Sequence, residues 1–244
     1  MTTMNITLLQ LLGGLLLLTI PAYVFYRLDR RLLRQSAVVL CRVAVALLVL
    51  GVCLHYVFLW DRPVVSLLWL LLSGAVATAV YCRKRWLAIP IYISMTVCSL
   101  VVGLVVLLLT GIRGSLFSAM FLVPVMTMLQ ADALFVCRQG MTTYVLNRRE
   151  HASLHEYLQG NGASPGEALR PFVARAMQRS YVPLLSQLLL VAIVFVPSLL
   201  IGLLLGAVSV WQSVAIVAMM LAAGLCSTVL ALLLSILIYN RLHA

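Results

Sequence analysis

Hydrophobic residues run along this chain in blocks of about 20, separated by short polar breaks, and that spacing predicts a series of membrane-spanning helices. Seven runs can be read: Ile6 to Tyr26, Val38 to Leu59, Val64 to Tyr81, Leu87 to Thr110, Leu116 to Cys137, Tyr181 to Leu205 and Gln212 to Tyr239. In lipid every backbone polar group must be satisfied within its own segment, which helices achieve and open strands do not. The pattern therefore defines an all-α integral membrane protein, read as one membrane domain over residues 1–244. One interval breaks it. Arg138 to Arg179 is long and polar, and holds six of the seventeen basic and three of the six acidic residues.

Composition agrees. With 64% hydrophobic and 9% charged residues the chain is far from a soluble domain, in which about 25% would be charged. A net charge of +11 suggests nucleic acid as a partner, but the basic residues sit in short blocks between apolar runs, and topology explains them better. If the amino terminus is outside, fourteen Lys or Arg fall on the inner side, two (Arg62 and Arg113) on the outer, and Arg42 lies one turn into the second run. That bias puts the carboxyl terminus and the Arg138–Arg179 interval in the cytoplasm of a multi-pass protein of the cell (inner) membrane. Tyr23, Tyr26, Tyr81, Trp86, Tyr181 and Tyr239 mark the expected inner boundary, and Tyr56, Trp60 and Trp211 the outer. The first run has no basic residue ahead of it and no small-residue cleavage site, so it is expected to be a retained span. The six cysteines lie in or beside apolar runs without a CxxC pair, as packing residues would.

Within the polar interval, Leu154, Tyr157 and Leu158 stand at i, i+3, i+4, which predicts a short helix over Ser153 to Gln159 with one apolar face and with Glu156 beside it. Gly160, Asn161 and Gly162 should end that helix. Ser164, Pro165 and Glu167 then have the form of a helix start: N-cap, proline at the first position, and a glutamate reaching back. Pro171 should kink or restart this second helix, because it lacks an amide proton. A helix with an exposed apolar stripe, followed by a glycine break and a capped second helix, is the shape of an element that fits a groove on another protein.

Candidate chemistry is sparse. Asp132 is the one acidic residue well inside an expected span, where a carboxylate costs ~2.5–3.5 kcal/mol unless it faces a partner or water. Met128 lies one turn earlier on the same face, and carboxylate with thioether could briefly hold a metal cation. The competing reading pairs Asp132 with Arg42 and makes it structural. Pro124 and Pro197 stand inside the spans flanking the polar interval and are candidate hinges. The only lysine, Lys84, lies in Arg-Lys-Arg and not in a phosphate-binding Gly-Lys-Ser/Thr loop, and no HExxH occurs. No catalytic residue is expected in this chain.

Two stretches of the polar interval resemble transporters. Glu156 stands six residues before Gly162, a spacing similar to the EAA-x3-G signature of ABC importer permeases. Gly162-Ala163-Ser164-Pro165 with Ala168, then Arg170, Arg175 and Arg179, then Val182-Pro183, resembles the iron-export-type (FetB-like) ABC permease family. Arg42 with Gly51 to Phe58, Pro124 to Leu134, and Val196-Pro197 to Gly202 resemble further segments of it, so the likeness covers nearly the whole chain. Thr127, Ala131, Asp132, Ser198 and Leu199 depart from its pattern. The resemblance implies a permease that works as a homodimer with two copies of a separate ATP-binding subunit, which supplies the Mg-ATP site. It also implies export, of iron or another metal ion.

Overall fold

A computed structural model of the chain describes residues 30–60, 62–82, 85–109, 119–190 and 209–242. All regular structure among them is helical. We number the helices α1 (Arg30–Trp60), α2 (Pro63–Tyr81), α3 (Arg85–Leu109), α4 (Ala119–Glu150), α5 (Ala152–Gly160), α6 (Pro165–Leu190) and α7 (Val210–Leu242). Four of them, α1 from Arg34, α2, α3 from Trp86, and α7, are long and apolar enough to cross a membrane. These match the second, third, fourth and seventh expected spans. The first expected span, Pro197 and most of the sixth span lie outside the described residues.

The chain divides into two compact units, Met1–Leu59 and Trp60–Ala244. In the first, α1 is a 31-residue apolar helix. In the second, α3, α4 and α7 pack on one another, α2 covers α3 and α4, and α6 lies along α4. Small residues make these approaches close, as membrane helices require when hydrophobic burial no longer distinguishes protein from lipid. On α7 the buried stripe is Gly224, Ser227, Thr228, Ala231 and Ser235. On α4, a methyl group at Gly140 would stand 2.6 Å from Leu232 of α7 and 3.1 Å from the Ser180 hydroxyl of α6. Gln130, only 5% exposed, donates from Nε2 to the Leu70 carbonyl of α2 at 3.3 Å, tying two helices across an apolar interface.

The apolar run of the fifth expected span ends at Cys137, and a loop is expected beyond it. Instead α4 is one unbroken helix of 32 residues, about 48 Å long, half as long again as the hydrocarbon thickness. It continues because Cys137, Met141, Tyr144 and Val145, at i, i+4, i+7, i+8, are all buried. Its partner is α6, which is likewise one continuous helix with Pro171 and Pro183 inside it. Ala168, Phe172, Ala176 and Ser180 recur every four residues and are each no more than 1% exposed, so packing along this stripe holds the helix together across Pro171. A restart expected there does not occur: the helix is continuous through Pro171.

Candidate functional site

The polar interval is thus a helical hairpin, α4 and α6, tipped by the nine-residue α5. Its root is fixed on one side by rings and polar groups at the basic end of the bundle. Tyr144 donates its hydroxyl to Asn240 Oδ1 at 2.8 Å, and Arg148 reaches the same oxygen at 3.3 Å. The Tyr239 ring stands edge-on to Tyr144 at 6.2 Å and 5.8 Å from Trp86, over which Arg149 also lies at 5.9 Å. Trp86 and Tyr239, expected at one membrane boundary, do meet at one level.

The tip is built by local rules. One residue, His151, separates α4 from α5. At the other end of α5 the Ala163 amide donates to the Leu158 carbonyl at 3.1 Å and the Gly162 amide to Gln159 at 3.0 Å, the paired bonds of a Schellman cap. Gly162 takes φ of +86°, in the left-handed region that glycine enters without a side-chain penalty. Ser164 and Glu167 then form a reciprocal capping box. The Ser164 amide and hydroxyl donate to Glu167 Oε2 at 2.9 and 2.8 Å, and the Glu167 amide donates back to Ser164 Oγ at 3.4 Å. These bonds from Ser164 hold the Glu167 carboxyl below its ordinary value of 4.5. Pro165 occupies the first helical position, as expected.

The apolar face expected on α5 is divided in two. His155 and Leu158 are half-buried, with the His155 ring 6.3 Å from Phe172 of α6, and they seat the helix on its hairpin. Leu154 and Tyr157 point outward, Tyr157 being 67% exposed. Glu156 is exposed beside them.

Asp132 belongs to a different part of the molecule. It lies on α4 six residues from Arg138, about 9 Å deeper along the helix, and is half-buried. Its Oδ2 faces α7 at Gly224, where a methyl group would stand only 3.3 Å away. Within the unit Trp60–Ala244 the carboxylate has no ion pair or hydrogen bond among the described residues. One turn along α7, the Ser227 hydroxyl is fully buried with no hydrogen-bond partner among the described residues. Met128 is half-buried one turn before Asp132. No group of three or more His, Cys, Asp or Glu side chains is assembled among the described residues. Pro124 sits at the sixth position of α4 and is exposed; the helix continues through it, and Thr127 donates its hydroxyl to the Val123 carbonyl at 2.8 Å. The Gly224 and Ser227 neighbourhood was missed in the sequence because it depends on a contact between residues about ninety apart.

The fold and these features define a multi-pass helical membrane protein whose polar mass is a preformed hairpin. The chain belongs to the uncharacterised protein family UPF0014, whose model matches residues 8–243, a family of ABC-transporter permease-like proteins. No curated protein and no solved structure matches the chain.

Proposed function

We propose that this protein is the permease subunit of an ABC transporter in the cell inner membrane, working as a homodimer with two copies of a separate ATP-binding subunit that hydrolyses Mg-ATP. The observation that carries the reading is α5, a short helix closed at its C-terminal end by a Schellman cap and held at the tip of two long helices with Leu154 and Tyr157 turned outward. An exposed apolar pair on a rigid projecting helix suits insertion into a partner's groove. In this reading the hairpin faces the cytoplasm, as the distribution of arginines implies. Leu154, Glu156 and Tyr157 meet the partner. Leu158, Gly162, Ser164 and Pro165 keep the tip in shape.

The coupling is mechanical. When ATP draws the two ATP-binding subunits together, their grooves displace α5. Because α5 is packed on α6 and α4 is unbroken from Glu150 to Asp132, the displacement travels as a tilt of helices over about 27 Å. Tilting α4 against α7 would change the space between Asp132 and Gly224. The cargo we infer is a metal cation, iron or another, held briefly by the Asp132 carboxylate and the Met128 thioether and exported. Pro124 and Pro197 are the candidate hinges.

One observation favours a second reading. A carboxylate within a span and without an ion pair in its own unit also suits an ion-coupled carrier that needs no ATP. A membrane scaffold, in which the hairpin only recruits a soluble partner, would need neither Asp132 nor turnover. Reconstitution with a candidate ATP-binding subunit separates these readings. The permease requires ATP for efflux of a metal from loaded vesicles and loses it with Asp132→Asn. Efflux without the ATP-binding protein overturns the reading in favour of the carrier.

A further inference from the structure

A cleft of about 610 Å³ opens between the end of α2, the middle of α4 and α6. Tyr81, Phe135, Arg138, Thr142, Asn147 and Arg179 line it. The Arg138 guanidinium lies over the Tyr81 ring, 4.2 Å from its centre, a cation–π contact that holds the group at the wall of the cleft. Neither Arg138 nor Arg179 pairs with a carboxylate among the described residues. Glu150 also lines the cleft, but twelve residues from Arg138 along α4, or about 18 Å. Thr142 and Thr143 donate their hydroxyl protons to the Arg138 and Gln139 carbonyls at 2.7 and 3.0 Å. Their oxygens can then only accept, so the arginines and the side-chain amides supply the donors.

We infer that this cleft binds the phosphate of an anionic phospholipid. Two unpaired guanidinium groups facing one space match a phosphate, whose oxygens accept their N–H groups in charge-assisted bonds. Depth selects a lipid over a soluble phosphate. Tyr81 is the last residue of an apolar spanning helix, so Arg138 stands where hydrocarbon gives way to headgroups. Phe135, 51% exposed and nearly one turn deeper in the same cleft, is placed beside the start of the acyl chains. Basic pockets between spanning helices take anionic headgroups in this way. A lipid seated there would contact α2, α4 and the emerging α6 together. The inference stands apart from ATP coupling and survives if that reading fails.

The test is lipid retention. The full chain is purified from discs containing equal phosphatidylglycerol and phosphatidylcholine, and bound lipid is counted by native mass spectrometry. Variants are Arg138→Gln, Arg179→Gln, the double variant, the lysine versions, and Arg241→Gln as a basic residue outside the cleft. Each cleft charge is expected to be worth about fivefold in phosphatidylglycerol affinity, and the pair about 25-fold. Lysine versions should keep most of it, which separates loss of charge from loss of fold, and Arg241→Gln should keep all of it. Wild-type protein holding both lipids in bulk proportion overturns the inference, as does an equal loss with Arg241→Gln. So does displacement of the lipid by millimolar inorganic phosphate, which would assign the cleft to a soluble ligand.

Discussion

Replacing Gly162 by alanine isolates one backbone position on which the tip of the hairpin depends. With φ at +86° the residue is in the left-handed region, and an added methyl group would meet no atom within 4 Å. The cost is therefore conformational and not a clash, about 1–2 kcal/mol for an L-residue in that region. Asparagine, which tolerates this region better, should cost less, and valine more. An energy of this size shifts the balance between capped and open ends of α5 by a factor of about 5–30. Amide hydrogen exchange followed by mass spectrometry reads it directly. The Gly162 and Ala163 amides, which donate to Gln159 and Leu158, should lose about that factor of protection in Gly162→Ala and less in Gly162→Asn, while α3 and α7 remain unchanged. If alanine and wild type exchange alike, or if asparagine is worse than alanine, the cap does not hold α5 as described.

Gly140→Val should destabilise the bundle by about 1–3 kcal/mol through overpacking against Leu232 and Ser180, read as a lower melting temperature in detergent; an unchanged melting temperature would mean the three helices are not in close contact there. For Glu167 the sign follows from its lowered folded value. Its contribution to the first turn of α6 is complete above the ordinary value of 4.5 and is lost as pH falls through the lower folded one. Exchange protection of the Ser164 amide should therefore fall on acidification in the wild type and show a flat profile in Glu167→Gln. Ser227→Ala removes a buried hydroxyl that has no partner among the described residues, so stability should hold or rise by about 1 kcal/mol; a clear loss would reveal a bond that this hydroxyl makes in the membrane.

What could be read from the sequence was local. Ser164, Pro165 and Glu167 lie within four residues, and their side chains bond to one another as short-range rules require. The limits of α5 were placed to within one residue, because Leu154 to Leu158 carries the helical period and Gly162 the stop. The length of α4 and α6 was not found. Arginines at Arg138, Arg148, Arg149, Arg170, Arg175 and Arg179 hid a second signal, the buried stripes Cys137, Met141, Tyr144, Val145 and Ala168, Phe172, Ala176, whose periodicity was present in the sequence. Charges on the outer side of a helix do not end it when the inner side is packed. For a related reason Pro171 does not break α6: one missing amide proton is outweighed by the buried contacts of Ala168 and Phe172 on either side of it. The closeness of Asp132 to Gly224, of Gly140 to Leu232, and of Tyr144 to Asn240 arises only when distant segments meet, and no spacing along the chain reveals it.

The most direct test of the central claim is site-specific photocrosslinking from the tip. A photoreactive phenylalanine analogue is placed at Tyr157 and, as a control, at Leu185 of α6, in cells that also express a candidate ATP-binding subunit. The permease account expects Tyr157 to crosslink to that protein in high yield, with the yield changing when ATP is trapped, and Leu185 to give none. Equal crosslinking at both positions, or none to the ATP-binding protein from Tyr157, would contradict the account.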